Sequence, residues 1–208
     1  MKIYVLGDSI SIGYGPFLKQ YLAGTAIEYS RKEGEAEALL NLDKPQGANG
    51  GDSSMVLAFL KGLAKTAGIK ADLMLVNCGL HDLRRAPETR AFQVPQGQYE
   101  ENLRAIIAVA QEIKTALAWI RTTPCDENIH NKPGMKFLRF AADCAAYNAA
   151  ADRVMLEAGV PAIDLFTFTK NLGPDLFRDH VHFHEHICRQ QAAFIAGWLD
   201  CRKSNRNK

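Results

Sequence analysis

Short runs of apolar and β-branched residues alternate along the chain with longer stretches whose apolar positions recur every three or four residues. Lys2 to Leu6 reads as a strand, broken by Gly7-Asp8-Ser9. Phe17, Leu18, Tyr21 and Leu22 carry helical spacing over residues 14–24. Ala26 to Tyr29 reads as a second, weaker strand, and 31–50 as loop with room for a short helix. Asp52 or Ser53 can cap a helix running to about Ala67. Asp72 to Asn77 is nearly all apolar, the pattern of a strand buried on both faces. After a loop over 84–97, the pattern predicts a helix over 97–113, a buried strand from Ala116 to Arg121 and a polar loop over 125–135. It then predicts an Ala-rich helix over 136–158, a strand from Val160 to Leu165 and a final helix over 184–200.

Strand–helix alternation of this kind predicts an α/β fold: a three-layer α/β/α sandwich around a mostly parallel five-stranded sheet in flavodoxin-like order. No repeat or linker interrupts it, so residues 1–201 read as one domain and 202–208 as a frayed basic tail. In such folds the site-bearing loops follow the carboxyl ends of the strands. Here those are 7–15, 49–54, 77–86, 121–135 and 166–184.

Composition narrows the classes. The 208 residues include 25 Lys+Arg and 23 Asp+Glu, a net charge of +2. Arg202, Lys203, Arg206 and Lys208 supply four of those positive charges, so the rest of the chain is slightly acidic. A nucleic-acid binder needs a concentrated basic face, so no nucleic acid is expected as a partner. No apolar run reaches the ~18 residues of a membrane span, and the first residues turn polar too early for a secretory signal. Five cysteines at 78, 125, 144, 188 and 201, without CxxC spacing, read as free thiols, and the expected compartment is the cytoplasm.

The loops hold the chemistry. Ser9 follows the first strand directly and opens a helix, which places its hydroxyl at the sheet edge and its N–H toward an anion. A serine needs a base and a group that orients the base. Asp179-His180-Val181-His182 offers both, because residues three apart can share one side of a turn. Donors for a developing oxyanion can come from Asn49-Gly50-Gly51-Asp52-Ser53 and from Asn77-Cys78-Gly79-Leu80-His81-Asp82.

These four blocks, in this order at strand ends, resemble the SGNH or GDSL-type serine hydrolases, and the resemblance spans essentially the whole chain. It implies ester hydrolysis through an acyl-enzyme, with Ser9 as nucleophile, His182 as base and Asp179 orienting it. The N–H groups of Ser9 and Gly51 would be oxyanion donors, Gly51 being preferred to Gly50 because Gly-Asp-Ser resembles the family's second block. The third block departs from the family, with His81 where an oxyanion asparagine is usual. An imidazole N–H can still donate, so His81 is expected to take that role. The opening GDSISIGYGPFL also resembles bacterial members related to carbohydrate esterases. The expected substrate is therefore a small-molecule or oligosaccharide ester with a short acyl group, with an O-acetylated carbohydrate first in line. No cofactor is implied.

Other readings stand beside this one. An acyltransferase would use the same residues with a sugar hydroxyl in place of water, and a non-catalytic carbohydrate binder would explain the departure at His81. Tyr14 can be a sugar platform or packing, Arg84 can bind a substrate acid or hydroxyl, and Cys125 can line the pocket. Asp8 and Asp82 share those loops as possible substrate contacts. Alternating His180, His182, His184 and His186 invite a metal, but a loop entering a helix does not keep period-2 geometry, so no metal is expected.

Overall fold

The computed structural model describes residues 1–66 and 68–206. Five strands form one sheet in the order β2-β1-β3-β4-β5: β1 (Lys2–Leu6), β2 (Glu28–Arg31), β3 (Leu73–Val76), β4 (Ala116–Ile120) and β5 (Ala162–Ile163). All four pairings are parallel. Helices α1 (Ser9–Leu22), α7 (Leu165–Lys170) and α8 (Glu185–Arg206) pack together, as do α3 (Ser53–Ala64), α4 (Gln96–Glu112) and α6 (Ala141–Glu157). Right-handed crossovers put these two groups on opposite faces. Short helices α2 (Glu35–Leu40) and α5 (Glu127–His130) lie within loops. The expected three-layer sandwich is what the chain forms.

The core follows from the strands. All four residues of β3 are buried between β1 and β4, and Trp119 of β4 is fully buried. The strand order reverses between β1 and β3, and that switch point is where a crevice opens in doubly wound sheets. Asn77 and Asn148 hold the crevice edge. The Asn77 side chain donates to the Ile120 carbonyl at 2.9 Å, and Asn148 brackets Thr122 through its N–H and carbonyl, both at 2.9 Å.

Several boundaries differ from the periodic reading. The Ala-rich helix begins at Ala141, not at 136. The residues before it are held extended by paired Arg85–Leu138 backbone bonds at 2.9 and 2.8 Å and by the Asn131 side chain, which brackets Arg139. The last strand is only Ala162–Ile163, because Asp164 accepts from Thr167 N–H and caps α7, a helix the apolar pattern did not show. The loop over 125–135 contains α5, capped by Asp126. The final helix continues to Arg206, so the stretch read as a frayed tail is helical from 202 to 206; residues 207 and 208, and the expected helix end at Ala67, lie outside the described residues.

Leu75 sits at the centre of β3 with no exposure. Leu75→Ala is expected to destabilise the fold by about 2–5 kcal/mol, the cost of an unfilled core cavity, measured by urea unfolding.

Candidate active site

The first and last site loops meet at the crevice. Ser9 opens α1 and is nearly buried, and the Asp8 side chain caps the same helix by accepting from Ile10 N–H at 3.0 Å. His182 comes from the loop that leads into α8, and its Nε2 lies 2.9 Å from Ser9 Oγ. Its Nδ1 lies 3.0 and 2.9 Å from the two Asp179 carboxylate oxygens. A carboxylate only accepts, so Nδ1 carries the proton and Nε2 is left bare to accept from the serine hydroxyl. Asp179 Oδ1 also accepts from the N–H groups of Val181 and His182, at 3.0 and 2.8 Å. Burial alone would raise the Asp179 pKa, but these bonds to His182 and the backbone outweigh it and hold the carboxyl well below its usual range. Three residues of local turn thus place the orienting acid under the imidazole.

The donors are distributed unequally. Gly51 has φ of 73°, and a Cβ there would lie 2.6 Å from Met55 Sδ and 2.8 Å from Pro45, so the turn requires glycine. Its N–H is committed to Asn49 Oδ1 at 3.0 Å, and that of Gly50 to the Gly7 carbonyl at 2.9 Å. Gly51 N–H, expected as an oxyanion donor, is hydrogen-bonded within its own loop. Ser9 N–H lies in the first helical turn, where no backbone carbonyl can accept it within the helix. His81 is buried, with Nε2 3.4 Å from Arg84 Nη2 and Nδ1 without a partner. Burial first, and then the charges of Arg84 and Arg139, push the His81 pKa well below its usual value, so the ring is neutral. A guanidinium only donates, so Nε2 accepts and the single ring proton sits on Nδ1. His81 therefore holds a buried N–H with no acceptor among the described residues. Gly79, just before it, has φ of 149°, and a Cβ there would collide with Thr122; the close approach of the third loop to the fourth depends on that glycine.

The residues expected to touch substrate are mostly turned inward. Asp8 has no exposure and serves as a helix cap. Tyr14 packs in the core. Asp82 is buried and accepts from Ser53 N–H at 2.9 Å, which ties the third loop to the start of α3. Cys125 belongs to the core beside Cys144, whose hydrogen bond holds the Cys125 thiol below its usual range. Arg84 is buried, donates to the Asp43 carbonyl at 3.1 Å and lies 4.0 Å over the Phe137 ring. Asp8, Asp82 and Arg84 each use part of their hydrogen-bonding capacity within the fold, an arrangement that linear spacing does not reveal. Arg85 and Arg121 are likewise structural, paired with Asp143 and with Asp152 and Asp164. All five cysteines are free.

Periodicity also missed a second histidine pair. His180 Nε2 lies 3.1 Å from an Asp43 carboxylate oxygen, and its Nδ1 lies 2.9 Å from His130 Nδ1. His130 Nε2 faces the Phe137 carbonyl at 3.2 Å, so that nitrogen carries the proton. Burial, then the charges of Arg139 and His180, push the His130 pKa down to about 4. His130 is therefore neutral, and its Nδ1 accepts from His180 Nδ1–H. Asp43, His180 and His182 offer ligand atoms within 4.8 Å of one another, and among the described residues they are the group that could hold a metal ion. Each already has its hydrogen-bond partners within the protein. Beside Ser9 and His182, a pocket with about 250 Å³ of empty space is lined by Ile10, Gly13, Leu42, Arg178, Phe183 and Cys188. None of those six was singled out from spacing, because they converge from three separate segments.

Residues 5–187 match the GDSL-like lipase/acylhydrolase family. The chain belongs to that family. It is a carboxylic ester hydrolase. Its fold is shared with a lipase/acylhydrolase from Enterococcus faecalis (18% identity, TM-score 0.70, covering 97% of this chain and 96% of that one). It is shared also with the acetyl xylan esterase AlAXEase (15%, 0.69, 96% and 100%) and with a GDSL-like lipase from Bacteroides thetaiotaomicron (13%, 0.69, 97% and 88%). A search of curated protein sequences gives no match. No helix among the described residues is long and apolar enough to cross a membrane.

One site carboxyl of this GDSL-like hydrolase makes its stability depend on pH. Burial pushes the Asp82 pKa up to about 7, against the hydrogen bonds from Ser53. An unfolded aspartate titrates near 3.9. Between those values the folded chain keeps a proton that the unfolded chain has lost, so this group lowers stability as pH rises through the window. In Asp82→Asn the amide oxygen can still accept from Ser53 and nothing titrates. The stability of the variant relative to the parent is expected to rise between about pH 4 and about pH 7 and then level off, measured by urea unfolding across that range.

Proposed function

We propose that the chain hydrolyses short acyl esters through an acyl-enzyme on Ser9. The observation that carries this reading is the continuous hydrogen-bonded line from Ser9 Oγ through His182 to Asp179. Ser9 Oγ attacks the ester carbonyl while His182 Nε2 takes its proton. Asp179, held ionised, keeps the imidazole in the correct tautomer and stabilises the imidazolium. Ser9 N–H and His81 Nδ1–H receive the oxyanion; Gly51 N–H can join only by giving up Asn49. His182 then returns the proton to the leaving alkoxide, and a water activated by the same base releases the acid.

Arg84 contributes through His81. Its donor occupies Nε2, which keeps the proton on Nδ1. The small, largely apolar pocket beside Ser9 favours an acetyl or similarly short group over a lipid chain. The likeness to an acetyl xylan esterase supports an O-acetylated carbohydrate as substrate.

Two measurements test this. Ser9→Ala is expected to lower kcat/KM on 4-nitrophenyl acetate at least about a thousandfold, and the parent rate should fall from acetate to butyrate to longer esters. A Ser9-independent rate would sink the mechanism, and a rate that climbs with chain length would sink the short-acyl assignment. Separately, His81→Ala is expected to cost about 10²–10³ in kcat, the range for one oxyanion donor, while His81→Asn retains part of the rate. Full kcat/KM in both variants would remove His81 from the mechanism.

A further inference from the structure

The small pocket beside Ser9 leaves the alcohol half of an ester unaccommodated. Leu42 lines that pocket, and the next residue, Asp43, lines a second and larger cleft. Asn41, Asp43 and Lys44 form one bank of this cleft, and Met135, Lys136 and Phe137 form the other. The cleft adjoins the catalytic base: the Asp43 carboxylate bonds His180, and the His180 and His182 rings lie 5.8 Å apart. An ester with its acyl group in the small pocket can thus lay its alcohol part along the second cleft.

The charges of this cleft do not balance. Its one carboxylate, Asp43, is committed to His180. Lys44 and Lys136 form no ion pair among the described residues. Under the Phe137 ring lie two buried guanidiniums, Arg84 at 4.0 Å and Arg139 at 4.9 Å from its centroid. Arg139 donates to the Leu80 carbonyl and to His130, and Arg84 to the Asp43 carbonyl and to His81; Arg84 Nε has no partner among the described residues. Neither arginine has a carboxylate within ion-pair distance among the described residues, and Asp8 and Asp43 act on both only from farther away. Burial, ahead of all other influences, lowers their pKa values to about 9 and about 10. Buried cations are ordinarily paired, because removing them from water is costly. Here two stand behind a cleft whose rim adds two more, and low-dielectric walls focus such a field into the cleft.

Building on the esterase reading above, we propose that this cleft is the subsite for the alcohol part of the ester and selects an alcohol that carries an anionic group, a carboxylate or a phosphate, such as an O-acetylated sugar acid. Lys44 and Lys136 reach the anion directly, and Arg84 and Arg139 supply the field behind them. Ester cleavage itself is unchanged: the anion stays on the departing alcohol.

The test compares four substrates: 4-nitrophenyl acetate, a monoacetylated methyl hexuronoside, its neutral uronamide, and a monoacetylated sugar phosphate. At low salt the parent enzyme is expected to prefer the uronate to the uronamide by about tenfold in kcat/KM, the size expected of two partly screened ion pairs, and to lose most of that preference at high salt. The double variant Lys44→Gln/Lys136→Gln should erase the preference through a raised KM for the uronate, with kcat on that substrate retained. A still larger preference for the sugar phosphate supports the anion subsite and identifies phosphate as its ligand. Equal turnover of uronate and uronamide overturns the proposal, as does a preference that survives the double variant. Turnover of 4-nitrophenyl acetate with none of the sugar esters also overturns it. Loss of all Ser9-dependent ester turnover would instead sink the esterase reading, and this inference with it.

Discussion

A parallel sheet has a single carboxyl edge, and every loop that leaves a strand on the way to a helix leaves from it. In this chain β1 lies between β2 and β3, so the order reverses beside the strand that Ser9 follows. The loops after β1 and β3 therefore diverge toward opposite faces and leave a crevice between them. Ser9 from the first loop and His81 from the third come to that crevice. His182, 173 residues from Ser9, is delivered there by α8 packing on α1. Without the switch point the same side chains would have no common edge to share.

Positions within the crevice are set by buried polar groups. Asp82 ties the third loop to α3, Asn77 ties β3 to β4, and Asn102 of α4 bonds the Ser53 hydroxyl at 2.8 Å. These bonds add modest net stability when made and cost more when broken, so they specify geometry more than they add stability. The same logic explains the protons. His182 is directed by a carboxylate that only accepts, and His81 by a guanidinium that only donates. Both rings hold their proton on Nδ1, but opposite partners occupy opposite ends, so His182 has a free acceptor at its Nε2 and His81 a free donor at its Nδ1.

Electrostatics divides the site in two. Around Ser9 the lining is largely apolar and small, apart from Arg178. Across Leu42 and Asp43, cationic side chains outnumber the carboxylates left to oppose them. A neutral acyl group and a charged alcohol would find different surroundings on either side of one reacting carbonyl.

Local pattern determined a great deal of this. Strand β1, the apolar run at β3, the cap at Asp52 and the blocks around Ser9, Gly51, His81 and His182 were legible, because each is a short-range consequence of pleating, capping or turn chemistry. The Asp179–His182 pairing was legible for the same reason, being three residues of turn. Tertiary structure alone decided the rest. The extended stretch before Ala141 overrides Ala-rich helix propensity with long-range backbone bonds to Arg85, which no local window contains. The inward turn of Asp8, Tyr14, Asp82 and Cys125 reflects core space that only the packed layers define. The Asp43–His180–His130 line joins three separate loops, and the donation of Gly51 N–H to Asn49 depends on how one loop folds on itself. Residue types and short spacings determined which chemistry the chain could assemble. Packing decided which groups face the crevice and which protons they hold, because burial and partner identity are properties of neighbours far apart in sequence.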